Sequence, residues 1–278
     1  MRQERTASEP DDRSAEDAHA ARGDDAPSGG VQVIARAAEI LRELRVSSDG
    51  RGLTVSEVAR RVDLARSTVH RIIAALEAEE LVAQAPAPGR FTIGPGIGRL
   101  AEHARTRLRA DVAPFLRRLS AESGETVDLA VLENSQVLFI DQAVGRRRLL
   151  AVSAIGASFP AHCTANGKAM LAALDDQRVI DLLPARLQRF TEHTIIRRVD
   201  LLANLGEVRA VGVAFDREEH TLGVAAVGSV IKDATGAVAA ITIPAPAERF
   251  HEREHELTQM LRLTCAETSA ALGAIPTA

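Results

Sequence analysis

His251-Glu252-Arg253-Glu254-His255 is a literal HExxH. On a helix this spacing sets two imidazoles on one face with Glu252 as a base, the zincin arrangement. No Gly-x-x-His continuation follows, and Glu267 lies too near to sit on the separate helix that supplies a third ligand. The run also follows the last strand signal, where a charge cluster opening a helix faces water. Cys163 beside His162 has the residue types of a thiol nucleophile or redox sensor. A small buried hydrophobe is the simpler reading. Lys168 resembles a phosphate lysine, but Gly-x-x-x-x-Gly-Lys-Ser/Thr fails at His162 and Ala169, which leaves a surface or helix-packing lysine. Gly94-Pro95-Gly96-Ile97-Gly98 lacks the GxGxxG spacing because position 99 is Arg. His103, His193 and His220 show no ligand spacing. These residues predict no catalytic group, no metal and no cofactor.

A different chemistry is written between Leu53 and Leu76. Arg66, Ser67, Thr68, His70 and Arg71 crowd the start of a helical pattern whose other face is Val69, Ile72, Ile73 and Leu76. A shorter pattern precedes it. Thr54 with Glu57 forms a capping box, Val55, Val58, Ala59 and Val62 recur at helical spacing, and Asp63-Leu64-Ala65 makes the turn. Two short helices with cations and hydroxyls at the start of the second suit a helix-turn-helix, in which the second helix enters the major groove. Ser67, Thr68 and Arg71 are the expected base or phosphate contacts, with Arg66 and Arg90 on the backbone; Thr54 and His70 complete the expected DNA-contact set. Arg71 has the reach to read guanine.

These groups need elements to position them. The apolar stripe Ile34, Ala37, Ala38, Leu41 and Leu44 predicts a helix over 31–45, ended by Ser47-Ser48-Asp49-Gly50. Leu81–Ala83 and Phe91–Ile93 read as two strands around the loop Pro86-Ala87-Pro88-Gly89-Arg90, a wing with Arg90 near its tip. A helix over 97–108, rich in Arg and apolar on one face, reads as linker and dimer contact. A second helix then starts at Val112 and stops at Ser123-Gly124. Beyond it, strands are expected at 126–132, 137–141, 148–153, 213–216, 222–231 and 237–243. Helices are expected at 166–174, at 175–183, at 201–210 with Asp200 as cap, and at 253–272 with Leu257, Met260, Leu261 and Leu263 inward. Strands paired by hairpins with helices on the faces make an α+β antiparallel domain.

Composition bounds the rest. The chain has 278 residues and 46% hydrophobic residues, enough for two cored domains. It has no apolar run of about 18 residues and no signal-peptide core, so no membrane span and a cytoplasmic location are expected. Two cysteines give no disulfide framework. Without Trp or Tyr, stacking on single-stranded nucleic acid is disfavoured. The net charge of −4 resides in residues 1–30, which hold eight acids and four Arg; the remainder is balanced. That segment reads as a disordered acidic tail.

In order along the chain, the following runs resemble the IclR-type bacterial transcription regulators over about residues 31–272. They are Ser67-Thr68-Val69-His70-Arg71, Phe91-Thr92-Ile93-Gly94 (Tyr is common for Phe), Gly124-Glu125-Thr126-Val127-Asp128-Leu129 and Pro160-Ala161-His162-Cys163-Thr164-Ala165-Asn166-Gly167-Lys168-Ala169. Thr191 to Ile195, Glu219 with Gly223-Val224, and Ala240-Ile241-Thr242-Ile243 complete them. The resemblance implies a winged helix-turn-helix over 31–95, a linker and dimerisation helix over 96–109, and a GAF-like effector domain over 110–278. It implies a dimer or tetramer on double-stranded operator DNA, a repressor by preference, answering to a small metabolite such as an organic acid or an aromatic compound. Positions lining the family's pocket map to Arg148, Ala151, Phe159, Ala165, Asn166, Asp216, Ala226, Val227, Thr242 and Pro244. Asn166, Asp216 and Thr242 would orient a polar ligand, with Phe159 and Val227 as apolar wall. Four positions depart from the pattern. Asp63 and Ala65 stand where the family favours Gly and Pro, Gly206 replaces a helix former, and Pro244 replaces a hydroxyl. Two alternatives stay open: a hydrolase built on HExxH or Cys163, and a DNA-binding protein whose second domain only assembles oligomers.

Overall fold

The computed structural model describes residues 29–45, 51–151 and 153–274. Residues 1–28 of the expected acidic tail and the helix stop at 47–50 lie outside the described residues, while Gly29 and Gly30, expected in the tail, open the first helix. The chain divides into two units at Leu100.

In the first unit, α1 (Gly29–Arg45), α2 (Val55–Arg61) and α3 (Arg66–Ala78) surround one apolar cluster. Its anchors are Ile40, Leu44, Val58, Val69, Ile73 and Val82. Ile34, expected on the inner stripe of α1, is 72% exposed, and Ile40 is buried instead. Ala37, Leu41 and Leu44 of the expected stripe do pack on this cluster. α2 starts with the expected capping box: Thr54 Oγ1 accepts from the Glu57 N–H at 3.2 Å, and Glu57 Oε2 accepts from the Thr54 N–H at 2.8 Å. The turn passes through Asp63 at φ +49°, a conformation that Asp tolerates and most residues resist. Three short strands follow the order β1-β3-β2, with β1 Leu53–Thr54, β2 Val82–Gln84 and β3 Arg90–Ile93. β1 was too short to show a period.

α4 runs unbroken from Pro95 to Ser123, where two helices were expected. Nothing in Arg109-Ala110-Asp111 stops a helix, and proline opens one well at its first position.

In the second unit, six strands form one antiparallel sheet in the order β6-β5-β4-β9-β8-β7. They are β4 Val127–Glu133, β5 Gln136–Ala143, β6 Ser158–Pro160, β7 Ala214–Arg217, β8 Val224–Asp233 and β9 Gly236–Pro246. Between them lie α5 (Ala165–Ala172), α6 (Asp176–Leu182) and α7 (Arg198–Val211), and α8 (Ala247–Ala271) closes the unit. Alternation divides the sheet. Val127, Leu129, Val227, Ile231, Ile241 and Ile243 pack with Val112, Leu116 and Leu119 of α4 and with Phe250, Leu257 and Leu261 of α8. Ala130, Phe139, Ala214 and Ala240 face Met170, Leu171, Val179, Leu201 and Leu205 of α5, α6 and α7.

Three expectations fail here. The described residues of 148–153 form no strand; the edge partner of β5 is β6, with Val137 opposite Phe159. Asp200 does not cap α7. Arg197 is the N-cap, and its guanidinium grips Asp200 in the first turn at 2.5 and 2.6 Å. Leu263 is 63% exposed, because α8 turns Leu257, Leu261 and Cys265 inward.

Buried Glu125 joins distant segments of this unit. Its carboxylate accepts from Arg249 at 2.6 and 2.8 Å and lies 3.0 Å from Arg147. The loop leaving β5 is thereby tied to α8.

Candidate functional site

The first site is the outward face of α3. Val69, Ile72, Ile73 and Leu76 are buried, which leaves Arg66, Ser67, His70 and Arg71 exposed and Thr68 half-buried. No ion pair holds Arg66 or Arg71 among the described residues. Ala65 has no side chain to cap the helix. The Thr68 N–H donates to the Ala65 carbonyl at 2.9 Å, and the Arg66 and Ser67 N–H groups before it have no intrahelical or side-chain acceptor, which suits a phosphate oxygen.

Two of the sequence-predicted DNA contacts are placed differently. Arg90 does not project from the wing. Its guanidinium donates to the Gly52 carbonyl at 2.7 Å and pairs with Glu57 at 3.2 Å. It braces the strand to the start of α2. Thr54 uses its hydroxyl in the capping box, donating to Glu57 Oε2 at 3.0 Å. Glu57 is held below the usual carboxylate range chiefly by the Thr54 backbone and hydroxyl donors, with Arg90 adding to them.

The second site is a cavity of about 190 Å³ between the sheet and the start of α5. Gly228 of β8 lies against the start of α5. A Cβ there would lie 2.7 Å from the Ala165 carbonyl carbon and 2.8 Å from the Asn166 nitrogen, so glycine lets α5 rest on the sheet. Phe139 and Phe159 meet edge to face at 5.2 Å, and the His220 ring stacks on Phe159 at 4.5 Å. Ala151, Phe159, Ala165, Asn166, Asp216, Ala226, Thr242 and Pro244 line the cavity as expected. Val227 does not. One residue along β8 from Ala226, it points to the opposite face and packs toward α8. Arg148 is exposed and absent from the lining.

Asp128, Phe139, Ser153, Thr164, His220, Thr221 and Val224 also line the cavity and were missed. Asp128 was legible. With Val127 and Leu129 inward, period two puts a charged side chain on the other face, and Asp128 sits in register beside Thr242. The loop residues His220 and Thr221 carry no periodic signal.

The cavity is acidic. Burial pushes the Asp128 carboxyl up to about 6, against a hydrogen bond of 2.8 Å from Gln142. Burial pushes the Asp216 carboxyl up to about 7, although it accepts from the Glu219 N–H at 2.7 Å. Nearby, Lys168 is not on the surface. It is 2% exposed and ion-paired with buried Glu219. Burial pushes the Cys163 thiol up to about 12, so it is protonated and poorly nucleophilic. His251, Glu252 and His255 are exposed on α8. Among the described residues no three or more His, Cys, Asp or Glu gather as a metal set, and no helix is long and apolar enough to cross a membrane.

Known proteins share this arrangement. The model of the bacterial transcriptional regulator IclR C-terminal domain matches residues 101–270, and that of the IclR helix-turn-helix domain matches residues 33–86. The HTH-type transcriptional regulator Rv1719 of Mycobacterium tuberculosis is 48% identical over 237 residues, 85% of this chain and 91% of that protein. TtgV of Pseudomonas putida, also an HTH-type transcriptional regulator, is 38% identical over 88% of this chain and 93% of its own length. The crystal structure of the Agobacterium tumefaciens repressor BlcR superposes with a TM-score of 0.56 at 28% identity, covering 88% of this chain and 99% of that one.

Proposed function

This chain belongs to the IclR family of bacterial transcriptional regulators, and from that premise we propose that it is a repressor holding operator DNA as a dimer or tetramer until a small metabolite binds. It is a regulator and not an enzyme, with a DNA-binding helix-turn-helix domain and a ligand-binding C-terminal domain. The observation that carries the DNA contact is the outward face of α3, where Arg66 and Arg71 have no ion-pair partner among the described residues. Arg66, Ser67, Thr68, His70 and Arg71 make the contact; Arg90 and Thr54 stabilise the fold that presents them. Residues 96–109 of α4, where Leu100 is 62% exposed, supply the dimer contact. The name of BlcR as a repressor favours that sign of regulation.

The metabolite occupies the cavity under α5. An engineered cavity of about 150 Å³ holds benzene, so about 190 Å³ suits a molecule built on one ring. The effector moves the DNA equilibrium only by binding one arrangement of the oligomer more tightly than the other.

The test is binding of a labelled duplex carrying the gene's own upstream region across a salt series. The duplex must carry the label, since the chain has no Trp or Tyr. Selective binding that weakens with salt is expected. Arg71→Ala should cost about 1–3 kcal/mol if Arg71 reads a base, or lower the salt slope by about one if it touches phosphate. Unchanged affinity and slope in Arg71→Ala would remove α3 from the interface.

A further inference from the structure

The cavity's charge narrows the ligand, on the reading that this cavity is the effector site. Its lining includes Asp128 and Asp216 but no Lys or Arg. Beside it, Asp216, Glu219 and Lys168 form a buried cluster with two carboxylates and one ammonium. Other charged groups nearby are already engaged or neutral. Arg217, next on β7, pairs with Glu254 of α8 at 2.5 and 2.8 Å. Glu218 accepts the Gly223 N–H at 2.7 Å. Burial holds the His162 and His220 rings below the usual imidazole range, and the Cys163 thiol is protonated. Buried charges are stable when paired. With Asp216 ionised this cluster is one positive charge short; while Asp216 is protonated the Lys168–Glu219 pair balances it.

A second observation is independent of the carboxylates. Asn166 Nδ2 and Thr242 Oγ1 line the same cavity, are almost wholly buried, and have no hydrogen-bond partner. Buried polar groups are rarely left so. The Thr242 hydroxyl can accept from a ligand N–H, whereas the Asn166 amide nitrogen can only donate, to an acceptor elsewhere on the ligand.

We propose that the cavity takes a small cation, a primary ammonium carried on one aromatic ring, with the ammonium at Asp216 and the ring against Phe139, Phe159 and His220. Aromatic faces favour a cation beside them, and the Phe159–His220 stack supplies such a wall. Asp128, across β9 and β8 from Asp216, accepts from a donor at the ligand's far end. An organic acid gains no ion pair from this lining, which holds two acids and no Lys or Arg.

The step balances through one proton. Without ligand, the Asp216 carboxyl retains a proton up to about pH 7. The ligand's ammonium replaces that proton, which leaves to solvent, and Asp216 becomes a carboxylate. Affinity therefore rises as pH climbs toward 7 and levels above it.

The experiment is titration calorimetry of the full chain with benzylamine, benzyl alcohol and benzoate, which share one ring and differ in charge. It is run at about pH 6 and pH 8 in buffers of different ionisation enthalpy. Benzylamine should bind at least about tenfold more tightly than either isostere and release up to one proton at the lower pH. Asp216→Asn keeps an acceptor for the Glu219 N–H and should abolish both the preference and the proton release; Asp128→Asn should weaken binding less. Equal or tighter binding of benzoate or benzyl alcohol overturns the inference. So does a preference that survives Asp216→Asn, or benzylamine binding that never saturates. Ala226→Phe, which fills the cavity, separates this inference from the effector reading. If benzoate binds the parent chain and is lost in Ala226→Phe, the cavity stands and the charge inference falls. If benzylamine binding survives Ala226→Phe, the cavity is not its site and both fall.

Discussion

Asp216 gives the fold a pH dependence whose sign follows from its position. Its carboxyl titrates at about 7 in the folded chain and near 3.8 when unfolded, so the native state binds that proton more tightly. The resulting stability is fully present below pH 3.8 and is lost as pH rises through 7. Asp128 behaves alike through about 6. His162 and His220 oppose them: burial lowers their folded values, so their contribution is present above the usual imidazole range and is lost as pH falls. Comparing the parent chain with Asp216→Asn isolates the one group. Urea unfolding followed by circular dichroism should show the parent losing stability relative to the variant between about pH 5 and 7, by up to about 1.4 kcal/mol per pH unit, with a plateau above. A constant difference across that range would mean that Asp216 titrates normally. The residue scale is also where sequence reading separated neighbours least well. Ala226 and Val227 are adjacent and apolar, and only the register Ala226 opposite Asp216 and Pro244 decides which one faces the cavity. Arg90 looked free because its partner Glu57 lies 33 residues away, while the local capping box containing Glu57 was legible.

Elements were legible where a pattern is local. The capping box of α2, the apolar period of α3, the turn at Asn134-Ser135 and the Asp175 cap of α6 are local signals of this kind. The two-residue turn puts Glu133 opposite Gln136, with Asn134 at φ +54°. The 148–153 stretch has strand-like residues but no neighbour to bond, because Ser158–Pro160 takes the edge of β5. Edge occupancy is a tertiary fact that no window of sequence contains. α7 offers an element-scale prediction. Gly206 lies in its middle on an exposed face, and a Cβ there would meet nothing within 4 Å. Glycine costs a helix interior about 1 kcal/mol relative to alanine. Gly206→Ala should therefore raise stability by about that amount, seen as an increase of roughly 2–4 °C in Tm for a unit of this size. No gain in a thermal melt would mean that the glycine serves a contact made outside this chain. Gly228 marks the contrast, since a side chain there would collide with the start of α5.

At the scale of the whole molecule, the two sites have meaning only through their coupling. The body of the chain is charge-balanced, and the excess of acid is confined to residues 1–30. On the proposed contact, DNA affinity comes from the local cations of α3, and it should fall with salt. The cavity beneath α5 holds groups whose ionisation lies near neutrality, so on the proposed reading its occupancy responds to pH as well as to ligand. If the two sites share one equilibrium, linkage makes their influence reciprocal. Suppose the effector weakens binding of the operator duplex by some factor at a fixed salt concentration. Saturating operator DNA must then weaken effector binding by the same factor, and a random duplex, held only through phosphates, must weaken it less. Fluorescence anisotropy of the labelled duplex measures the first quantity, and calorimetry of the DNA-bound protein measures the second. Both should give the same factor, typically about 5–150 for coupled sites. Effector affinity that is blind to operator DNA, in a protein that releases that DNA when the effector is added, would violate the cycle. It would place the releasing ligand at a second site, outside the cavity beneath α5.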